Sequence, residues 1–514
     1  MISLLNLGLL RGVALVGVVL GLALAATPAK ADWRRAETPN FVIYSDGSER
    51  PLREYARKLE VFDRFLRLRF GVPVDRPVMR KLPIYLVSGR SGLRAVRPST
   101  SDTVAGFYFA GEEDIFAVAI RNDGDYTLLH EYAHHFFFQH FSTYYPGWLV
   151  EGLAEYVMTA RIRTDSIQVG AHNEGRGSWL MNASWLPLDV LLRNRVGDVE
   201  HGPHQATYYP VAWLLTHWFM SSPERTAQLE AYLGLIRQGV DPVQAMEQAT
   251  GLTLDQLRSA LRSHMYGRIE LATYDIDLPD MQIAISEMPA SADDLLLLRQ
   301  RLTMPMEEEH RTRALEDARS MAARHGDDPL ALLVLGHAEL HIGDRAAGEA
   351  ALMRVLEDDP DHVEALQFMA MARFADAEDQ PENHTDLMNR ARGYLATAYA
   401  ADPNNYLTLY LIAQSRNGGP GYPNDNDLAT WEMAFISAPQ LSGIRMGAGH
   451  AFLASGDRET AVGLLSPLAN APHGGDEAEA AQALIDEAMG VTPAADGGTQ
   501  AVENEEDAEV TPAD

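Results

Sequence analysis

From Pro329 the chain reads PLALLVLGHAELHIGDRAAGEAALMRVLEDDPDH, ending at His362, and no other stretch limits the fold as tightly. Leu335-Gly336 lies inside a first helical pattern, Gly343-Asp344 marks a turn, and Pro360 follows a second helical pattern. Small residues at these offsets let two antiparallel helices cross closely, and the proline ends the second. One such hairpin cannot bury its apolar face alone, so it needs stacked neighbours. The sequence supplies them. Residues 363–405 carry Ala391, Ala398 and Pro403 in phase after an insertion near 375–384; residues 406–440 carry Trp431, Ala434 and Pro439. A fourth unit opens near Ser442 with Gly449, Gly456-Asp457 and Ala461, and a partial helical pair over 291–326 caps the array.

These are the offsets of a tetratricopeptide repeat. Residues 294–489 are therefore expected to form an all-α array of tetratricopeptide-type helical repeats, the alternative being a non-repetitive bundle. Such an array offers a concave face to a protein partner, whose identity the sequence leaves open.

Upstream the pattern changes. FVIYS (41–45) and KLPIYLV (81–87) read as strands, and the stretch Glu49–Phe70 spaces Leu52, Tyr55, Leu59, Phe62 and Leu66 as a helix does. AGFYFAGEEDIFAVAI (105–120) reads as a hairpin turning at Gly111-Glu112-Glu113, and from Asp125 the chain is expected to be mainly helical. Strands first and helices after indicate an α+β domain over 32–270. Residues 271–293 lack helical periodicity and read as a linker. The tail 490–514 is small, acidic and without aromatics, and is expected to be disordered.

At 514 residues the chain exceeds one hydrophobic core. A formal charge of −30 excludes nucleic acid as an expected partner, since phosphate binding needs a basic face. Arg11, the apolar run GVALVGVVLGLALAA and Ala29-Lys30-Ala31 read as a secretory signal peptide over 1–31, the alternative being an uncleaved membrane anchor. The expectation is an exported protein, periplasmic or secreted, with no stable membrane span after cleavage. It has no cysteine, so it must be stable without disulfides.

One helical stretch, LLHEYAHHFFFQHF (128–141), is too apolar for a surface and too rich in histidine for a core. His130 and His134 are four apart, so both imidazoles leave one face of a helix close enough to share an ion. Glu131, beside the first, cannot easily bind the same ion but can reach a water held by it. PGWLVEGLAEYV (146–157) then starts a second helix, with sixteen residues between His134 and Glu151. An antiparallel return brings Glu151 to the histidines as a third ligand. Two imidazoles and a carboxylate leave the fourth position of Zn2+ open, as in a catalytic site.

HEYAHH followed by PGWLVEGLAEY resembles the gluzincin metallopeptidases, the group of thermolysin and the zinc aminopeptidases; Trp148-Leu149-Val150-Glu151-Gly152 matches the aminopeptidase W-L-x-E-G segment. A closer resemblance, over about 32–270, is to exported bacterial proteins with a gluzincin-like domain ahead of tetratricopeptide repeats. No G-x-M-E-N segment is present, and the spacing to the third ligand is shorter than in thermolysin. The resemblance implies that Glu155 orients a zinc-bound imidazole. It also implies that Tyr209, in TYYPVAWLLTHWF (207–219), donates to the tetrahedral oxyanion, with Tyr208 as the alternative donor. His135, His140, His201, His204 and His217 read as core or surface histidines, His201 and His204 in a loop bordering the cleft.

The expected function is zinc-dependent hydrolysis of a peptide or protein substrate, with Glu131 as general base. The hairpin 105–120 would offer an edge strand to an extended peptide. The rival is a non-catalytic envelope scaffold with a structural zinc, working through its repeats; zinc hydrolysis of a non-peptide bond also stays open.

Overall fold

The computed structural model describes residues 32–121, 125–141, 145–277, 279, 281–471 and 474–490; the signal segment 1–31 and the tail beyond Gly490 lie outside the described residues. A six-stranded mixed sheet opens the chain: β1 (Arg34–Glu37), β2 (Phe41–Ser45), β3 (Leu82–Val87), β4 (Gly106–Ala110), β5 (Ile115–Ile120) and a late strand, β9 (Ala284–Glu287). Their order is β4-β5-β3-β2-β1-β9, with β2, β3 and β5 parallel and the others antiparallel to their neighbours.

IFAVAI in β5 is apolar throughout because both faces are covered. Ile115, Ala117 and Ala119 face one core with α1 (Glu49–Phe70) and α3 (Asp125–His140). Phe116, Val118 and Ile120 face another, closed by α2 (Arg90–Val96) and by Ala292 and Leu296. The last two belong to α12 (Ala292–Leu302), the first helix of the repeat half. The core of the N-terminal domain is thus completed by the C-terminal half.

This corrects the expected linker. Residues 271–293 contain β8 (Ala272–Asp275) and β9. β8 joins β6 (Arg161–Ile162) and β7 (Ser166–Val169) in a small second sheet, and β9 pairs with β1. The segment lacks helical periodicity because it forms short edge strands, which carry little pattern of their own. β1, β6 and β7 are likewise only two to four residues long, too short to carry a pattern, and the chain after Asp125 is less uniformly helical than its sequence suggests.

The rest of the first half is helical. α4 (Gly147–Met158) follows α3; α5 (Glu174–Asn182), α6 (Leu188–Arg193) and α7 (Pro203–Ala206) lead to α8 (Tyr208–Met220); α9 (Pro223–Arg237), α10 (Pro242–Thr250) and α11 (Leu254–Tyr266) close it. Among the described residues no helix is long and apolar enough to cross a membrane.

The second half is a stack of helical hairpins. α12 and α13 (Glu308–Ala322) precede α14 (Pro329–Ile342) with α15 (Arg345–Asp358), and α16 (Val363–Asp379) with α17 (His384–Ala401). α18 (Tyr406–Gln414) with α19 (Asp425–Ser437) and α20 (Ser442–Ser455) with α21 (Arg458–Ala469) follow, and α22 (Asp476–Met489) ends the stack. A Cβ on Gly336 would lie 2.6 Å from Leu352 Cγ, and one on Gly348 would lie 2.9 Å from the Gly336 carbonyl oxygen. α14 and α15 cross so closely only because both positions are glycine.

The stack grips the first domain. Tyr406 and Tyr410 donate to the Glu112 carbonyl (3.1 Å) and carboxylate (2.9 Å), at the turn between β4 and β5. Gln440 donates to Gln139 at the end of α3 (2.7 Å), and Arg195 to the Ala469 carbonyl (3.1 Å). Residues of α18, of the α19–α20 turn and of α21 are therefore engaged by the chain's own first domain.

Candidate metal centre

α3 is held from behind. Leu128, Leu129, Tyr132, Ala133 and Phe136 are buried, and the Tyr132 hydroxyl donates to Asp63 on α1 (2.7 Å), itself paired with Arg67 (2.6 Å). With that face fixed, His130 and His134 emerge together on the other. α4 begins after Pro146 and is buried along almost its whole length. Gly152 decides how near it comes to α8, since a Cβ there would lie 2.6 Å from the Ala212 carbonyl oxygen. This approach carries Glu151 to the histidines from one side and Tyr209 from another.

His130 Nε2 and His134 Nε2 are 3.1 Å apart, and Glu151 Oε2 lies 3.3 and 3.4 Å from them. A tetrahedral ion with bonds of about 2.0–2.1 Å needs ligand edges of about 3.3–3.4 Å, so the three atoms already form one face of such a tetrahedron. The donor set therefore fits a divalent ion. Among the described residues no fourth histidine or carboxylate joins the group. His135, adjacent in sequence, is turned into the core, where its Nδ1 meets the Tyr108 hydroxyl (3.0 Å) and burial pushes its imidazole down to about 3.

Charge reinforces this arrangement. Burial alone would raise the Glu151 carboxyl, but His134 and His130 hold it well below the usual carboxylate range. Burial alone would lower His130, but Glu151, Glu155 and Glu131 lift it to about 9. The site thus attracts positive charge strongly, and an ion entering it must displace a proton.

Glu155 faces His130 Nδ1 at 3.5 Å, on the ring edge away from the shared centre. This is the ring edge where the resemblance expects a carboxylate, although at this distance the contact is electrostatic and not a formed hydrogen bond. Arg176, which sequence reasoning missed, pairs with the same Glu155 oxygen (3.0 Å) and lies over the Tyr209 ring, 4.4 Å from its centroid. It comes from α5, capped by Asn173, in a segment with no motif.

The two tyrosines separate clearly. Tyr208 is fully buried and donates to the Asn194 carbonyl (3.0 Å), which makes it part of the core. Tyr209 stands beside His130, ring centroids 6.5 Å apart. Burial, with Glu151 close by, pushes its phenol above the usual range, so it remains a donor. Glu131 is half-buried, and its charge is felt by both His130 and Tyr209. His201 and His204 do not border this centre; both are exposed and line a separate cavity with Leu186 and Pro187. His140 packs on Phe136, and His217 is buried against His264.

No known family and no curated protein matches this chain. Among solved structures it is similar to TTC0263, a thermophilic TPR protein of Thermus thermophilus, with 17% identity over 38% of this chain and 99% of that one, at a TM-score of 0.32. It is also similar to a mutant of MamA, with 16% identity over 38% of this chain and 96% of that one, at a TM-score of 0.25. Scores of this size reflect a loose likeness of helix arrangement, and the repeat assignment rests on the hairpins described above.

Proposed function

We propose that the protein is a zinc-dependent hydrolase acting on peptide bonds of an exported or envelope substrate. The observation that carries this reading is the His130–His134–Glu151 triangle with a carboxylate, Glu131, and a phenol, Tyr209, beside it. Zinc, when held by these three residues, would supply a Lewis acid for the attacking water and the scissile carbonyl. Glu131 accepts the proton of that water and returns it to the departing amine. Tyr209 donates to the carbonyl oxygen as it gains charge, in a site where Arg176 holds the ring in place. β4 is one of the two edge strands of the sheet and packs against α3, so an extended peptide can add to it by backbone pairing.

A second reading is supported by the stacked hairpins, an architecture suited to holding protein partners. On this view the chain is a scaffold, and the ion only stabilises it. Glu131→Gln decides between them, because it keeps volume and leaves all three ligands intact. Hydrolysis of a peptide library should fall by about 10²–10⁴-fold with zinc content unchanged, since an amide cannot accept the proton. A wild-type protein that binds zinc and cleaves nothing across the library would leave the scaffold as the better description.

A further inference from the structure

A second cluster lies where the two halves meet. α14 carries His337 and His341, four residues apart, and the β4–β5 turn brings Glu113 against them. His337 Nε2 is 2.9 Å from Glu113 Oε2, and His341 Nε2 is 3.7 Å from Glu113 Oε1. The imidazole centroids are 4.6 Å apart, close to the 4.8 Å between those of His130 and His134. One nitrogen from each ring and one carboxylate oxygen lie within 4.8 Å of one another.

Two further observations point to a ligand there. The His337 side chain is only 2% exposed, and its Nε2 meets Glu113 Oε2 at 2.9 Å with both atoms shut off from solvent. An unprotonated imidazole nitrogen and a carboxylate oxygen cannot face each other this closely in a buried site without positive charge between them, and a metal ion can take the place of a proton there. His337 is also held rigidly, stacked on Phe368 with ring centroids 4.2 Å apart and planes 12° from parallel. A fixed ring plane holds Nε2 aimed at Glu113, the preorganisation that a metal ligand needs. An entry path exists as well, because Glu113 and His341 line a cavity of about 340 Å³ that also reaches Met304, Met306 and Arg311.

We propose that Glu113, His337 and His341 form a second metal site, taking a first-row divalent ion of the zinc class, that clasps the β4–β5 hairpin to the repeat array. Imidazole and carboxylate donors select ions of this class over calcium or magnesium, which prefer oxygen alone. The ligands come from both halves, so the ion locks the hairpin whose outer strand is an edge of the sheet. This inference does not depend on hydrolysis at the first site.

The test uses the full-length chain stripped of metal and dialysed against zinc at fixed free concentration, with zinc measured by elemental analysis. Wild type should hold two ions per chain, one for each cluster. Glu151→Ala and His341→Ala should each hold one, and the double variant none. Glu113→Gln, nearly isosteric, should behave as His341→Ala does, and far-UV circular dichroism confirms that each variant is folded. One ion in wild type and none in Glu151→Ala overturns this proposal and leaves the first site standing. Undiminished zinc in His341→Ala and Glu113→Gln also overturns it. Zinc lost from those two variants but not from Glu151→Ala supports it, and counts against the first site instead.

Discussion

Two helices of this protein place a pair of histidines four residues apart against a glutamate, and the two clusters are assembled in different ways. His130, His134 and Glu151 lie within one antiparallel helix pair, α3 and α4. Glu113, His337 and His341 are brought together only when the repeat array closes on the β4–β5 turn. Ring spacing is nearly the same in both, so the α-helix alone sets it. What differs is the surroundings. The first pair has Glu131, Glu155 and Tyr209 about it; the second has a stacked Phe368 and a cavity. Helical spacing sets the ring geometry in both clusters, and the neighbours set the chemistry around each.

The sharpest challenge to this contrast is truncation. If the first cluster were independent, residues 32–275 would fold and keep it. The expected outcome is the opposite, because that cut removes β9 from the sheet edge and α12 from the second core. With a typical domain stability of about 5–15 kcal/mol, uncovering one face of the sheet is enough to abolish a cooperative transition, which calorimetry would show directly. A truncated chain that melts cooperatively and retains zinc would make the first domain autonomous.

Single substitutions probe the surroundings. Tyr209→Phe should lower kcat by about 10²-fold with zinc content unchanged, a loss of about 2.7 kcal/mol in transition-state stabilisation. Arg176→Ala should cost less, acting through the looser ring of Tyr209 and the freed Glu155 carboxylate. Tyr208→Phe should instead lower the melting temperature, since its hydroxyl serves the core. Similar kcat losses from Tyr208→Phe and Tyr209→Phe would erase the distinction drawn between them.

A third histidine pair supplies the smallest effect and a useful contrast. His217 Nδ1 lies 2.8 Å from His264 Nε2, its Nε2 meets the Glu270 carbonyl, and neither hydrogen bond involves a carboxylate. Burial, then His264, pushes His217 down from the usual 6.5 to about 4. The unfolded chain therefore takes up the proton first as pH falls. Stability from this group is intact above pH 6.5 and is lost between 6.5 and about 4, by about 1–3 kcal/mol in all. His217→Gln should flatten the melting temperature over that window, and an unchanged pH profile would show that the buried ring accepts its proton at little cost.

Much of this molecule is written in local patterns. Helical spacing marks α1 and α14, short runs of β-branched and aromatic residues mark β2, β4 and β5, and the spacing of His130, His134 and Glu151 marks the first cluster. These are legible because the interacting residues are a few positions apart or lie on consecutive elements, where backbone geometry alone relates them. Tertiary structure decided the rest. β8 and β9 are strands because β7 and β1 offer them hydrogen bonds, not because four residues demand it. Tyr208 and Tyr209, about 100° apart on one helix, were indistinguishable until the contact at Gly152 set how α8 sits. Arg176 meets Glu155, and Glu113 meets His337, across folds of the chain that no local pattern records. Such partners are chosen by packing, which acts on whole faces and leaves no periodic trace in the residues it joins.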